Sequence, residues 1–170
     1  MLKWTRAELI HSSEDQFTFD EELNIGPEIF GTYPLIHSAE DVHIYGQGFY
    51  EPQQDAVYVH INVEGIMICP DSVSGEELEV PFNTGSDEVY SFEETDDEGV
   101  RVVSNEVIEL LPAAIEDIVL EAPLQVTDVA PGDYPKGDGW RIVSEEEFEE
   151  ERRNQIDPRL AKLREFKQEK

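Results

Sequence analysis

Apolar and polar positions alternate most cleanly between Val57 and Phe82. Val57, Val59, Ile61 and Val63 interleave with Tyr58, His60, Asn62 and Glu64, which puts one set on each face of a strand. At Gly65 the alternation gives way to Ile66-Met67-Ile68-Cys69, a run that needs cover on both faces or a bulge. Pro70 has no N–H to donate and ends the ladder. Pro-Asp-Ser-Val-Ser-Gly turns the chain, and Leu78, Val80 and Phe82 begin a second alternating strand. The pattern predicts a long hairpin at the centre of an antiparallel sheet.

Upstream, Thr5 and Glu8 have capping-box spacing and open a short helix from about Arg6 to His11. Phe17, Phe19 and Leu23 among acidic residues predict a strand, and Pro27 to Phe30 one helical turn ended by Gly31. Val42 and Ile44 begin a strand that Gly46 and Gly48 are expected to bend before Phe49 and Tyr50. Three β-segments joined by short turns make a meander. Val89 to Phe92, Gly99 to Val103 and Val107 to Leu110 predict further strands, with an acidic loop from Glu93 to Gly99.

From Pro112 the period changes. Ala114, Ile115, Ile118, Val119 and Ala122 form one apolar face at helical spacing, and this is the helix expected to pack on the sheet. Val129 to Gly139 predicts a loop, after which Trp140, Ile142 and Val143 are expected to return to the sheet edge. Ser144 and Glu147 have capping-box spacing ahead of a charged helix, and Asp157-Pro158 opens a last one with Leu160, Leu163 and Phe166 on one side. The fold class expected is α+β: an antiparallel meander, open or partly closed as a barrel, with one packed helix and helical termini. The division expected is an acidic domain over residues 1–143 and a charged helical tail over 144–170.

Charge sharpens the picture. The 170 residues carry 40 Asp and Glu against 12 Lys and Arg, a formal charge of −28. No Lys or Arg lies between Arg6 and Arg101. The expected body is therefore nearly pure anion, which repels nucleic-acid phosphates until screening intervenes at about 8 Å in physiological salt. Basic residues collect at the end, where Arg152, Arg153, Arg159, Lys162, Arg164 and Lys167 are the candidate contacts to RNA or to a partner. The competing reading of that stretch is a helix whose cations answer its own acids at i,i+4. With one cysteine there is no internal disulfide, no apolar run reaches membrane length, and the first residues are a poor signal peptide. A cytoplasmic protein that binds neither membrane nor DNA is expected.

Candidate chemistry is thin. Cys69 ends an apolar run with no activating base nearby in sequence and reads as a buried thiol rather than a nucleophile. His43 and His60 on paired strands offer two readings, metal ligands facing each other or ordinary cross-strand polar residues, and the second is preferred. Glu93, Glu94, Asp96, Asp97 and Glu98 lack the alternating ligand spacing of a calcium loop and read as a solvated acidic turn. Trp4 and Trp140 read as packing residues. Gly46-Gln-Gly48 lacks the third glycine of a dinucleotide fingerprint. No cofactor, metal or catalytic residue is expected.

Lys3-Trp4-Thr5, Phe19-Asp20-Glu21, Val63-Glu64-Gly65 with Cys69, Val80-Pro81-Phe82, the block from Leu111-Pro112 to Ala122-Pro123-Leu124, Gly139-Trp140 and the run from Ile156 to Leu163 together resemble the YceD family, the large ribosomal RNA subunit accumulation proteins. The resemblance implies a role in making or stabilising the large subunit and its 23S rRNA, and no defined reaction. The chain departs from the family where many members carry a second cysteine: Asp71 and Ser72 follow Pro70 here. The function expected is a non-enzymatic factor in large-subunit biogenesis that binds a basic ribosomal protein or assembly factor. The alternatives are direct rRNA binding through the basic C-terminal helix and, behind it, a carboxylate-dependent hydrolase.

Overall fold

The computed structural model describes residues 2–12 and 16–154. The chain forms two compact units, Met1–Thr127 and Asp128–Lys170.

In the first unit, β1 (Lys3–Thr5) leads directly into α1 (Arg6–His11), and the capping box forms: Thr5 Oγ1 accepts from the Glu8 N–H while the Glu8 carboxylate accepts from the Thr5 N–H. Then come β2 (Gln16–Ile25), the single turn α2 (Pro27–Phe30), β3 (Ser38–Glu51), β4 (Ala56–Pro70) and β5 (Glu77–Ser91). The short strands β6 (Val100–Val102) and β7 (Val107–Glu109) precede α3 (Leu111–Glu121). The main sheet has the order β2-β3-β4-β5-β6, antiparallel except for the parallel β5–β6 pair, while β1 and β7 make a separate antiparallel pair. The α+β class, the meander and the packed helix all stand. The sheet is open, with β2 and β6 at its edges.

The hairpin of β4 and β5 is longer than the alternation suggested. Its register runs unbroken from Ala56↔Ser91 to Pro70↔Glu77, so Val89 to Ser91 finish the strand that begins at Glu77 instead of adding another. Gly65 does not interrupt β4. The apolar run after it is accommodated because Met67 and Cys69 continue the buried face at 1% exposure each, while Ile66 and Ile68 lie opposite Pro81 and Glu79 on the other face.

Gly46 and Gly48 do not bend β3. The register shift in that strand falls between Glu40 and His43, where Asp41 has φ 49° and donates its N–H to the Asn24 side chain. The glycines serve cross-strand packing. Gly46 lies opposite Phe19 and Gly48 opposite Phe17, and a Cβ at either position would meet the phenyl ring at 2.7 or 2.5 Å. The rings fill the space above the bare backbone, as aromatic residues commonly do beside strand glycines.

One face of the sheet is the core. Val42, Ile44, Val57, Ile61 and Val63 are all at most 1% exposed, and Ala113, Ala114 and Ile118 of α3 are fully buried with them. Burying Ile118 alone contributes roughly 1.5–3 kcal/mol before its lost rotamer freedom is charged against it. Trp4 packs on the two phenyl rings, with centroids 4.6 Å from Phe17 and 5.9 Å from Phe19.

The second unit holds a 3-10 turn at Pro131–Asp133, the two-residue strands β8 (Lys136–Gly137) and β9 (Trp140–Arg141), and α4 (Glu145–Asn154). Trp140 was expected at the sheet edge; it pairs instead with Gly137 in a small hairpin of its own. The Ser144 hydroxyl accepts from the Glu147 N–H at the start of α4.

Candidate functional site: the open face of the sheet

Strand pairing arranges the outer face of the main sheet in rows. Gln16, Phe49, Tyr58 and Val89 lie side by side across β2 to β5. The next row is Thr18, Gln47, His60 and Asp87, followed by Asp20, Tyr45, Asn62 and Gly85, then Glu22, His43, Glu64 and Asn83. Each row follows from the two-residue period of its strands and from their register. The face holds carboxylates, imidazoles, amides and aromatic rings, and β2 to β5 contain no Lys or Arg.

The electrostatics are one-sided. His43 is bonded on both ring nitrogens, Nε2 to Asp20 Oδ1 at 3.1 Å and Nδ1 to Glu64 Oε1 at 3.4 Å. The Asp20 hydrogen bond, reinforced by Glu64, holds the His43 pKa above the usual imidazole range despite partial burial. His60 Nδ1 lies 2.8 Å from Asp87 Oδ1, and Asn83 donates to Glu64 at 2.9 Å. His43 and His60 do not face each other: His43 lies opposite Glu64, and His60 opposite Gln47. Among the described residues no group of three or more His, Cys, Asp and Glu is placed to hold a metal ion.

The aromatic rings on this face are partly bare. Phe49 is 43% exposed and stacks on Tyr58 with centroids 5.0 Å apart and an interplanar angle of 11°. Tyr45 stacks on His43 at 4.5 Å. Between the first two rows runs a groove of about 300 Å³ floored by Gly48 and Val59 and bordered by Phe49, Tyr58, His60 and Asp87. A second depression of about 460 Å³ lies between the second and third rows, bordered by Thr18, Asp20, Tyr45 and Asn62.

Carboxylates on the core side are handled differently. Glu88 points from β5 toward α3 and meets Arg101 at 2.5 Å; the same guanidinium reaches Glu116 of α3 at 2.6 Å. These two hydrogen bonds, Glu116's the larger, hold Arg101 firmly charged, and Arg101 lowers the Glu116 pKa in return. Asp117, buried on the same helix, accepts from the Ser86 hydroxyl at 2.7 Å. Burial raises its pKa, and the nearby Glu88 and Glu116 charges push the same way. At the β3–β4 turn Asp55, with φ 47°, accepts from the Tyr50 hydroxyl at 2.7 Å and pairs with Arg6 at 2.5 Å. Burial works against the Arg6 charge, but Asp55 holds its pKa raised.

Cys69 is buried, and burial raises its thiol pKa, so little reactive thiolate is present near neutrality. Glu93 to Glu98 form an exposed loop in which Asp97 accepts from the Gly99 N–H. Of the basic candidates, Arg152 and Arg153 lie exposed on α4, where Arg153 pairs with Glu149 at 3.0 Å and Arg141 pairs with Glu151. Arg159, Lys162, Arg164 and Lys167 lie outside the described residues. Sequence reasoning missed the rows, the Phe49–Tyr58 stack and the role of Arg101. Arg101 had a visible signal: it is the one Lys or Arg between Arg6 and Lys136.

A family model described as large ribosomal RNA subunit accumulation protein YceD matches residues 59–167. The chain is 30% identical over 169 residues to the uncharacterised protein YlbN of Bacillus subtilis (strain 168), covering 95% of this chain and 94% of that protein. No solved structure matches. No helix among the described residues is long and apolar enough to cross a membrane.

Proposed function

The chain belongs to the YceD family of large ribosomal RNA subunit accumulation proteins, and from that premise we propose that it supports accumulation of large-subunit rRNA without catalysing a reaction, by docking a basic ribosomal protein or assembly factor on the open face of its sheet. The family description supports the ribosomal part of this reading. The docking part is supported by one observation: four adjacent strands present their outer side chains to solvent with several carboxylates and not one Lys or Arg among them. Such a surface attracts cationic proteins, speeds their encounter and suppresses contact with nucleic acid. It holds a basic client apart from stray RNA until a stronger site competes for it. The work is done in the cytoplasm, where the large subunit is assembled.

Affinity capture from growing cells at low and at physiological salt tests the reading. Recovery of a basic large-subunit protein or assembly factor, weakening as salt rises, is the expected result; recovery of neither at either salt contradicts it. A gel shift with rRNA fragments, comparing the whole protein with one ending before Arg152, separates this from direct RNA binding through the tail. No shift from the truncated protein is expected.

A further inference from the structure

We propose that the two parallel depressions on the open sheet face receive alternate side chains of one extended, arginine-bearing protein segment laid along the strand direction. The inference rests on the docking reading above and gives it a place and a register.

The depressions lie between successive rows of the sheet, so the first is separated from the second by two residues of each strand, about 6.7 Å. That is also the spacing between side chains i and i+2 of an extended chain. Across the sheet Asp87 stands on β5 and Asp20 on β2, so a segment of the form Arg-x-Arg lying over β3 and β4 sets one arginine above each depression, the first guanidinium reaching sideways to Asp87 and the second to Asp20. The chemistry of the two is alike. The first offers the flat face of the Phe49–Tyr58 stack beside the carboxylate of Asp87; the second offers Tyr45 beside Asp20. An aromatic face next to a carboxylate is the environment in which a guanidinium stacks and pairs at once.

Both carboxylates are placed to do this. The Asp87 side chain is 88% exposed and that of Asp20 is 79% exposed, and the hydrogen bond each makes to a histidine engages Oδ1. The partition between the depressions is the Gln47–His60 pair, whose amide and imidazole can bond the backbone of a segment passing over it. Gly85, with no side chain, leaves the end of the third row low on the β5 side. The occupant favoured by the charge of the face is a protein segment; an RNA strand brings phosphates against Asp20, Glu64 and Asp87.

The test uses the full chain and two synthetic peptides of equal length with the same three arginines and the same number of serines, one spacing the arginines at every second position with the remaining serines flanking them and one spacing them at every third. Binding is measured by fluorescence anisotropy at low salt, and amide chemical shifts map the contact. The alternating peptide is expected to bind about tenfold more tightly than its isomer and to shift Gln47, Phe49, Tyr58 and His60. Phe49→Ala and Asp87→Asn are each expected to weaken it by about fivefold to tenfold, whereas Glu94→Gln in the acidic loop changes it less than about twofold. Phe49 and Asp87 are exposed, so these variants are expected to keep the fold, checked by circular dichroism. Equal binding of the two peptides, or equal loss from the loop variant, overturns the groove while leaving the acidic docking surface standing. No binding of either peptide, with no basic partner captured from cells, overturns both. An RNA oligonucleotide that shifts the groove residues where the peptides do not also overturns it.

Discussion

The two faces of the main sheet carry carboxylates under opposite rules. On the covered side Glu88 and Glu116 share Arg101, Asp117 takes a hydroxyl from Ser86, and Asp55 is met by both Arg6 and Tyr50. On the open side Asp20, Glu64 and Asp87 are answered, among the described residues, by histidine and amide groups. A buried carboxylate that lacks a partner destabilises the fold, and Arg6 and Arg101 stand where that cost is highest, while Lys3 pairs with the exposed Glu109. An exposed carboxylate needs no Lys or Arg, and partners no stronger than histidine and amides leave the open face negative on balance. The net charge of −28 is thus unevenly effective: neutralised locally where the fold depends on it, expressed where a client can meet it.

This contrast breaks most visibly at Arg101. Arg101→Ala leaves Glu88 and Glu116 facing each other near α3, with no cation between them. A loss of about 2–3 kcal/mol is expected, or roughly 5–10 °C in thermal midpoint. If the midpoint moves by less than a degree, the covered side is no more dependent on charge pairing than the open one. Gly46→Val is expected to cost a comparable amount, about 3 kcal/mol, because its Cβ would run into the backbone carbonyl oxygen of His60, which the sheet holds in place, and lie 2.7 Å from the Phe19 ring. Chemical denaturation reads it, and a companion Phe19→Leu should recover part of the loss if the clash with the ring is the cause.

Asp117→Asn sharpens the comparison from the other direction. The amide keeps an oxygen for the Ser86 hydroxyl and removes a charge that burial and two neighbouring carboxylates disfavour. Its folded pKa is raised, so ionisation above that value works against folding; the stability associated with the neutral form is present at low pH and lost as pH rises through the folded pKa. The variant should therefore raise the midpoint by about 2–4 °C at neutral pH and by little in acid. A fall at neutral pH would show that the carboxylate is needed as a charge.

The smallest effects belong to the open face. Asp20→Asn should leave stability within about 0.5 kcal/mol, as exposed pairs usually do. It should lower the His43 pKa, because the Asp20 hydrogen bond is the largest contribution raising it. The raised folded value means that the His43 pairing stabilises the fold fully below the ordinary imidazole range and ceases to as pH rises through the folded pKa. A titration of the ring by NMR checks both the midpoint and its shift; an unchanged midpoint in Asp20→Asn would remove Asp20 from the account.

What could be read in advance followed the range of the signal. The capping box at Thr5 and Glu8 and the alternation in β4 are set by residues within a few positions of one another and formed as expected, and α3 buries Ala114 and Ile118 as expected, with Ala113 and Asp117 beside them and Ile115 and Val119 only partly covered. The rows of the open face depend on register between strands separated by tens of residues, which local pattern does not encode. Gly46 and Gly48 show the same limit: bend and cross-strand packing look identical until Phe17 and Phe19 are known to lie opposite. Trp140 has strand character, but nothing beside it in sequence names Gly137 as its partner.

The most direct test of the central claim is site-specific photocrosslinking in growing cells, with the crosslinker placed at Thr18 or Gln47 on the open face and, separately, at Arg152. The account predicts a crosslink from Thr18 and Gln47 to a basic protein of the large subunit or its assembly machinery. Crosslinks to rRNA from Arg152 with none from the open face to any protein would contradict it.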